Sequence, residues 1–184
     1  RHRPGRGTGR VGFDPGPDAG VVTIECDAAA APLMSGYRPS TLGRPRDGRV
    51  RMEVAIGVPY PLHAGASSKA FLAFLGDEEV SSYLARVRLR AVTDVTLTDE
   101  DALRTELAQI RERGWASSQG ERMAGAASVA APVFDQAARP VAVLSVSGPV
   151  ERFTPQMERA AAALVSCTAR LSARMGWVPE VLGD

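Results

Sequence analysis

Hydrophobic and polar positions along the chain change character at about residue 50. Val50, Met52, Val54 and Ile56 alternate with Arg51, Glu53, Ala55 and Gly57, the two-residue period of a strand with one buried face. Pro59 and Pro61 stop it, because proline cannot donate to a ladder. A helix is predicted to open at Gly65-Ala66-Ser67-Ser68 and run through Leu75, with Ala70, Phe71, Phe74 and Leu75 on one side and Gly76 at its end. Asp77-Glu78-Glu79 starts the next, where Val80, Tyr83, Leu84 and Val87 keep the i, i+3, i+4, i+7 spacing of an apolar stripe. Thr98-Asp99-Glu100-Asp101 reads as an N-cap with an acidic first turn, Leu103, Leu107 and Ile110 as a buried stripe, and Gly114 as the stop. Two strands are expected over 126–134 and 141–147, joined by the turn-like 135–140. Thr154-Pro155 then places an N-cap before a proline at the first helical position, starting a helix that runs to about Met175. Its Met157, Ala161, Leu164, Thr168, Leu171 and Met175 recur at 4,3,4,3,4 spacing, which fits core packing at least as well as a dimer seam.

Upstream of residue 50 the pattern fades. Residues 1–20 have no hydrophobic period and read as a disordered arm. Val21-Val22-Thr23-Ile24-Glu25 is β-prone, and the lead-in 21–49 offers one or two edge strands at most. Strands, helices, a hairpin and a closing helix make an α+β fold, an antiparallel sheet flanked by helices, with 178–184 as a tail.

Composition sharpens that division. Of 184 residues, the first 50 hold 15 of the 31 glycines and prolines and eight arginines against five acidic residues. The whole chain carries a formal net charge of only +1, so no global field calls for a nucleic acid or a membrane. Cys26 and Cys167 are too few for a disulfide scaffold. No apolar run approaches the ~20 residues of a membrane span, and no charged-then-apolar leader opens the chain. A cytoplasmic protein is expected. With only His2 and His63 present, neither a metal site nor a cofactor is expected.

Catalytic patterns are missing. There is no Gly-x-Ser-x-Gly elbow, the residue three before Lys69 is Ala66 where a Ser-x-x-Lys nucleophile needs serine, and Ser67-Ser68-Lys69-Ala70 lacks the glycine and hydroxyl of a phosphate loop. No catalytic residue is assigned, and an enzyme is disfavoured. Hydroxyls in apolar strands stand out instead. Alternation puts Val141, Val143, Ser145 and Ser147 on one face and Ala142, Leu144 and Val146 on the other, while Ser128 shares a face with Ala130. If the two strands are neighbours, three hydroxyls meet on one surface. That surface is either a solvated or backbone-bonded edge, or the wall of a ligand site. The helix start at 65–68 has two readings as well. Small residues there leave backbone N–H groups open to an anion, or they give clearance for packing on a sheet. His63 alone reads as a structural histidine.

Three segments in order then resemble one family. Pro61-Leu62-His63-Ala64 with Lys69-Ala70-Phe71-Leu72-Ala73 is the first. Gly114-Trp115, Gly120-Glu121-Arg122, Gly125 and Ser128-Val129-Ala130-Ala131-Pro132-Val133-Phe134-Asp135 form the second, and Leu144-Ser145-Val146-Ser147-Gly148-Pro149 the third. Over roughly residues 50–177 they resemble the C-terminal effector-binding domain of IclR-type transcriptional regulators. The resemblance implies a GAF-like fold and a small-molecule effector, a carboxylic or aromatic acid, that changes DNA binding by a homodimer or tetramer. It implies a ligand site at Ala66 and Ser67, Ser118, Ser128, and Ser145 with Ser147. Ser68 stands where the family motif usually has glycine.

The family also carries an N-terminal winged helix-turn-helix, and no such pattern precedes residue 50. DNA binding is therefore expected only through a domain absent from this chain. Residues 1–49 are either an arm standing in place of the DNA reader or a stretch read in a shifted frame of GC-rich DNA, the latter motivated by one lysine against 21 arginines. The expected function is ligand sensing for transcription regulation. The rivals are a GAF-like enzyme using His63 as base, which a His63 variant tests, and a DNA-free interaction module, which a gel shift tests.

Overall fold

The structure is a computed structural model that describes residues 22–26 and 61–178. The expected strand over 50–56, the arm over 1–20 and the rest of the lead-in lie outside the described residues. Strand β1 (Val22–Cys26) is followed by helices α1 (Ala66–Ala73), α2 (Asp77–Arg86) and α3 (Glu100–Arg113). Strands β2 (Ala116–Gln119), β3 (Ala126–Phe134) and β4 (Pro140–Pro149) come next, then α4 (Val150–Phe153), a 3-10 turn over Thr154–Gln156, and α5 (Met157–Arg174).

The strands form one antiparallel sheet in the order β1-β4-β3-β2. Strand alternation divides its side chains between two cores. Ala127, Val129, Ala131, Val133, Ala142, Leu144 and Val146 point one way and pack with Met157, Ala160, Ala161 and Leu164 of α5. Ala116, Ala130 and Val143 point the other way and pack with α1 and α3, through Ala66, Ala70, Leu72, Leu103, Leu107 and Ile110. The result is an α+β fold with helices on both faces. The regular stripe of α5 faces its own sheet, with Met157, Ala161, Leu164 and Thr168 buried and Leu171 and Met175 packed beside them.

Local chemistry sets the element ends. Asp99, not Thr98, caps α3, its carboxylate accepting the Ala102 N–H at 2.8 Å. Gly114 closes α3 at φ 81°, a left-handed conformation that costs glycine nothing. Helix α1 ends at Ala73, two residues short of the expected end, and Gly76 serves as the N-cap of α2, where its N–H donates to Glu79. Thr154-Pro155 forms the 3-10 turn between α4 and α5 and does not open α5 itself. Strand β2 was not foreseen, because Ala-Ser-Ser-Gln has neither β-branched residues nor an apolar period. Its pairing to β3 supplies what its sequence lacks.

Candidate functional site

The register assembles the hydroxyls. Ser118 of β2 pairs with Ser128 of β3, and Ser128 pairs with Ser147 of β4. Three serines thus stand in one row across three strands. Ala116, Ala130 and Ser145 form the next row, and Ser145 is also paired with Thr23 of β1. All lie on the face that carries α1, because Ala116 and Ala130 share their parity and belong to the α1 core. Ser145 is 2% exposed and Ser118 6%, while Ser128 and Ser147 are half-buried. No fully enclosed side-chain polar atom among the described residues lacks a partner. A serine oxygen of this row without a protein partner therefore opens on to accessible space.

Helix α1 begins over the same end of the sheet. Gly65 is its N-cap at φ 91°, and Ala66, Ser67 and Ser68 make its first turn. Ala66 is 1% exposed and belongs to the core. Ser67 is buried at 8% exposure. The Gly65 N–H is already engaged, donating to Glu121 Oε2 at 3.1 Å. The alanines pack against the sheet, and the amides of the first helical turn, Ala66 and Ser67 among them, have no partner within the helix.

Sequence reasoning missed the charges behind this end. Lys69 is 2% exposed, and its ammonium lies 2.6 Å from Glu121 Oε1 and 3.3 Å from Glu106 Oε1. Glu106 also receives Arg113 at 3.1 Å, and that guanidinium stacks over Trp115 at 4.8 Å from the ring centre. The Glu121 carbonyl accepts the Thr96 hydroxyl at 2.6 Å, and the Gly120 carbonyl that of Thr93 at 2.8 Å. Lys69 and Glu121 both stood in the motifs, yet nothing local shows that residues 52 positions apart are partners. Arg122 was also missed: its side chain lies against Gly65, with its Cβ 3.6 Å from where a Cβ on that glycine would stand.

His63 is 1% exposed. Its Nε2 lies 3.0 Å from the Arg90 carbonyl and its Nδ1 2.9 Å from the Tyr83 hydroxyl. A carbonyl only accepts, so Nε2 carries the proton and, in the neutral ring, Nδ1 accepts from Tyr83. Burial raises the Tyr83 hydroxyl above the usual phenol range, while backbone hydrogen bonds at Leu62 and His63 pull it the other way. Among the described residues, no group of three or more His, Cys, Asp or Glu is placed to hold a metal ion, and no helix is long and apolar enough to cross a membrane.

Known proteins share this fold. Residues 44–173 match the family described as bacterial transcriptional regulator IclR C-terminal. The transcriptional repressor IclR of Escherichia coli K12 is 41% identical over 105 residues, 57% of this chain and 38% of the repressor. The chain therefore matches well under half the length of that relative. The crystal structure of Thermotoga maritima IclR superposes with a TM-score of 0.67 at 32% identity, covering 71% of this chain and 53% of that one. The inducer-binding domain of PobR from Acinetobacter, solved as a double mutant in complex with 3-hydroxybenzoic acid, has the same fold at a TM-score of 0.61 and 23% identity, covering 74% of this chain and 76% of that one. The fold is the GAF-like α+β fold of these domains. By its motifs, its two-faced sheet and these likenesses, the chain belongs to the IclR family of bacterial transcriptional regulators and carries the family's C-terminal effector-binding domain.

Proposed function

We propose that the domain, over about residues 50–177, binds a small organic acid between the first turn of α1 and the serine row, and that occupancy alters DNA binding by the regulator. The observation that carries this reading is the contiguous line Ser118, Ser128 and Ser147 beside the buried Ser145. Ser128 and Ser147 are half-buried hydroxyls on an otherwise apolar, helix-covered face, and a compact ligand lodged there can hydrogen-bond to them. The ligand carboxylate is assigned to the amides of Ala66 and Ser67 and to the Ser67 hydroxyl, where the helix dipole favours an anion. The other polar end is assigned to Ser128, Ser145 and Ser147, with Ser118 at the side. Lys69 is committed to Glu121 and Glu106, so affinity rests on hydrogen bonds and is modest.

The 3-hydroxybenzoic acid named in the PobR complex is an acid of this kind. Sensing without turnover is the better fit, since both ring nitrogens of His63 are engaged and neither is positioned as a base. The coupling to DNA is a population shift transmitted through a cytoplasmic homodimer or tetramer.

Thermal-shift screening against small carboxylates, 3-hydroxybenzoate included, tests the proposal. Saturation at about a hundred times Kd contributes about 2.7 kcal/mol of stability, a clear rise in Tm. Ser147→Ala should weaken binding by about tenfold, the loss of one well-made hydrogen bond. A folded chain that no acid stabilises overturns the reading, and a gel shift of the full regulator with and without the acid tests the DNA step.

A further inference from the structure

We infer that Glu121 is the positioning residue of the effector site, with Lys69 as its buried anchor. The inference rests on reading this surface as the effector site.

A buried ammonium needs compensating charge, and Lys69 at 2% exposure has it in Glu121 at 2.6 Å and Glu106 at 3.3 Å. A counter-ion needs no more than that. Glu121 does more, because its other oxygen accepts the Gly65 N–H at 3.1 Å. One carboxylate thus holds α1 at two points, the N-cap amide and the lysine four residues on, and clasps the first turn between them. Its own backbone is fixed as well, its carbonyl accepting from Thr96 at 2.6 Å and Thr93 at 3.2 Å. From Glu121 the chain runs back three residues to Ser118 and forward seven to Ser128. Glu121 is therefore the direct link between the amides of Ala66 and Ser67 and the serine row. It also takes the outermost amide, so that an incoming anion meets the next two.

Two double variants separate positioning from charge compensation. Lys69→Met/Glu121→Ala and Lys69→Met/Glu121→Gln both remove the buried ion pair, but only the second keeps an acceptor for Gly65. The first-turn amides with acceptors are those of Gly65, on Glu121, and of position 69, on the Gly65 carbonyl; their hydrogen exchange should be at least tenfold faster in the alanine variant and within threefold of wild type in the glutamine variant. With 3-hydroxybenzoate as probe, Kd should rise tenfold or more in the first and stay within threefold in the second. If Lys69→Met unfolds the chain, Glu121→Asp replaces the pair: it keeps the charge but is one methylene too short to span both contacts, and first-turn exchange should quicken at least fivefold. Unchanged first-turn exchange in the alanine variant, or in Glu121→Asp where that is used, overturns the inference. Failure of wild type to bind 3-hydroxybenzoate counts against the acid reading alone, and the exchange comparison still decides this one.

Discussion

His63 and Tyr83 show how much of the region around the site is ordinary structural chemistry. The imidazole links the start of the α1 segment to the Arg90 carbonyl, and the phenol, half-buried, caps the other ring nitrogen. Burial is the larger influence on Tyr83 and raises its pKa in the folded chain. The sign follows from proton counting. Below the ordinary phenol value of about pH 10 the group is protonated in folded and unfolded chains alike, and its contribution is complete. Above it the unfolded chain releases the proton first, so stability falls as pH rises further. Urea midpoints for wild type and Tyr83→Phe should therefore run parallel up to about pH 9.5 and then diverge, the wild type losing more. Parallel curves to pH ~11 exclude this account.

At the scale of elements, α3 is the best-specified piece of the molecule. Glu100 and Asp101 sit in its first turn, Arg111 and Arg113 in its last, and Asp99 closes the N-terminal end. These charges complement the helix dipole. Asp99→Ala should cost about 1 kcal/mol, read as a lower urea midpoint at unchanged slope. Strand β2 is the opposite case. Its four residues have little strand preference, and its place depends on the ladder to β3, from Ala116↔Ala130 to Gln119↔Ala127. The β3–β4 hairpin carries the register that matters, since a one-residue slip would turn Ser147 to the α5 face. The valines and alanines alternating with the serines oppose that slip, because it would turn the core side chains away from α5.

The whole molecule divides into a filled face and a face with hydroxyls in it. On the α5 side, Leu164 packs at 5% exposure among Val129, Ala131, Leu144 and Val146. Leu164→Ala should cost about 2–5 kcal/mol through lost transfer energy and the cavity left behind, measured by thermal or urea unfolding. A loss well under 1 kcal/mol would show that α5 packs its stripe elsewhere, on a second copy for example. On the α1 side, Ala66, Ala70 and Ala73 bring the helix close to the sheet, and the row at its N-terminal end is serine where the filled face has valine and leucine.

Much of this was legible in advance because it depends on near neighbours in the chain. Alternation in β3 and β4 separated Ser128, Ser145 and Ser147 from Ala142, Leu144 and Val146, and caps and glycines marked α3. Strand period and capping are short-range effects, so a few residues carry them. The motif spacing carried the family for the same reason: it records which residues lie together without showing how. What was not legible depends on contacts between distant segments. β2 becomes a strand through its partner, and Ser118 joins the row through the β2–β3 register. Lys69 is buried because Glu106 and Glu121 arrive from α3 and the β2–β3 loop to neutralise it. Hydrogen-bond pairing and charge compensation act through space, and only the folded chain brings those partners within 3.3 Å.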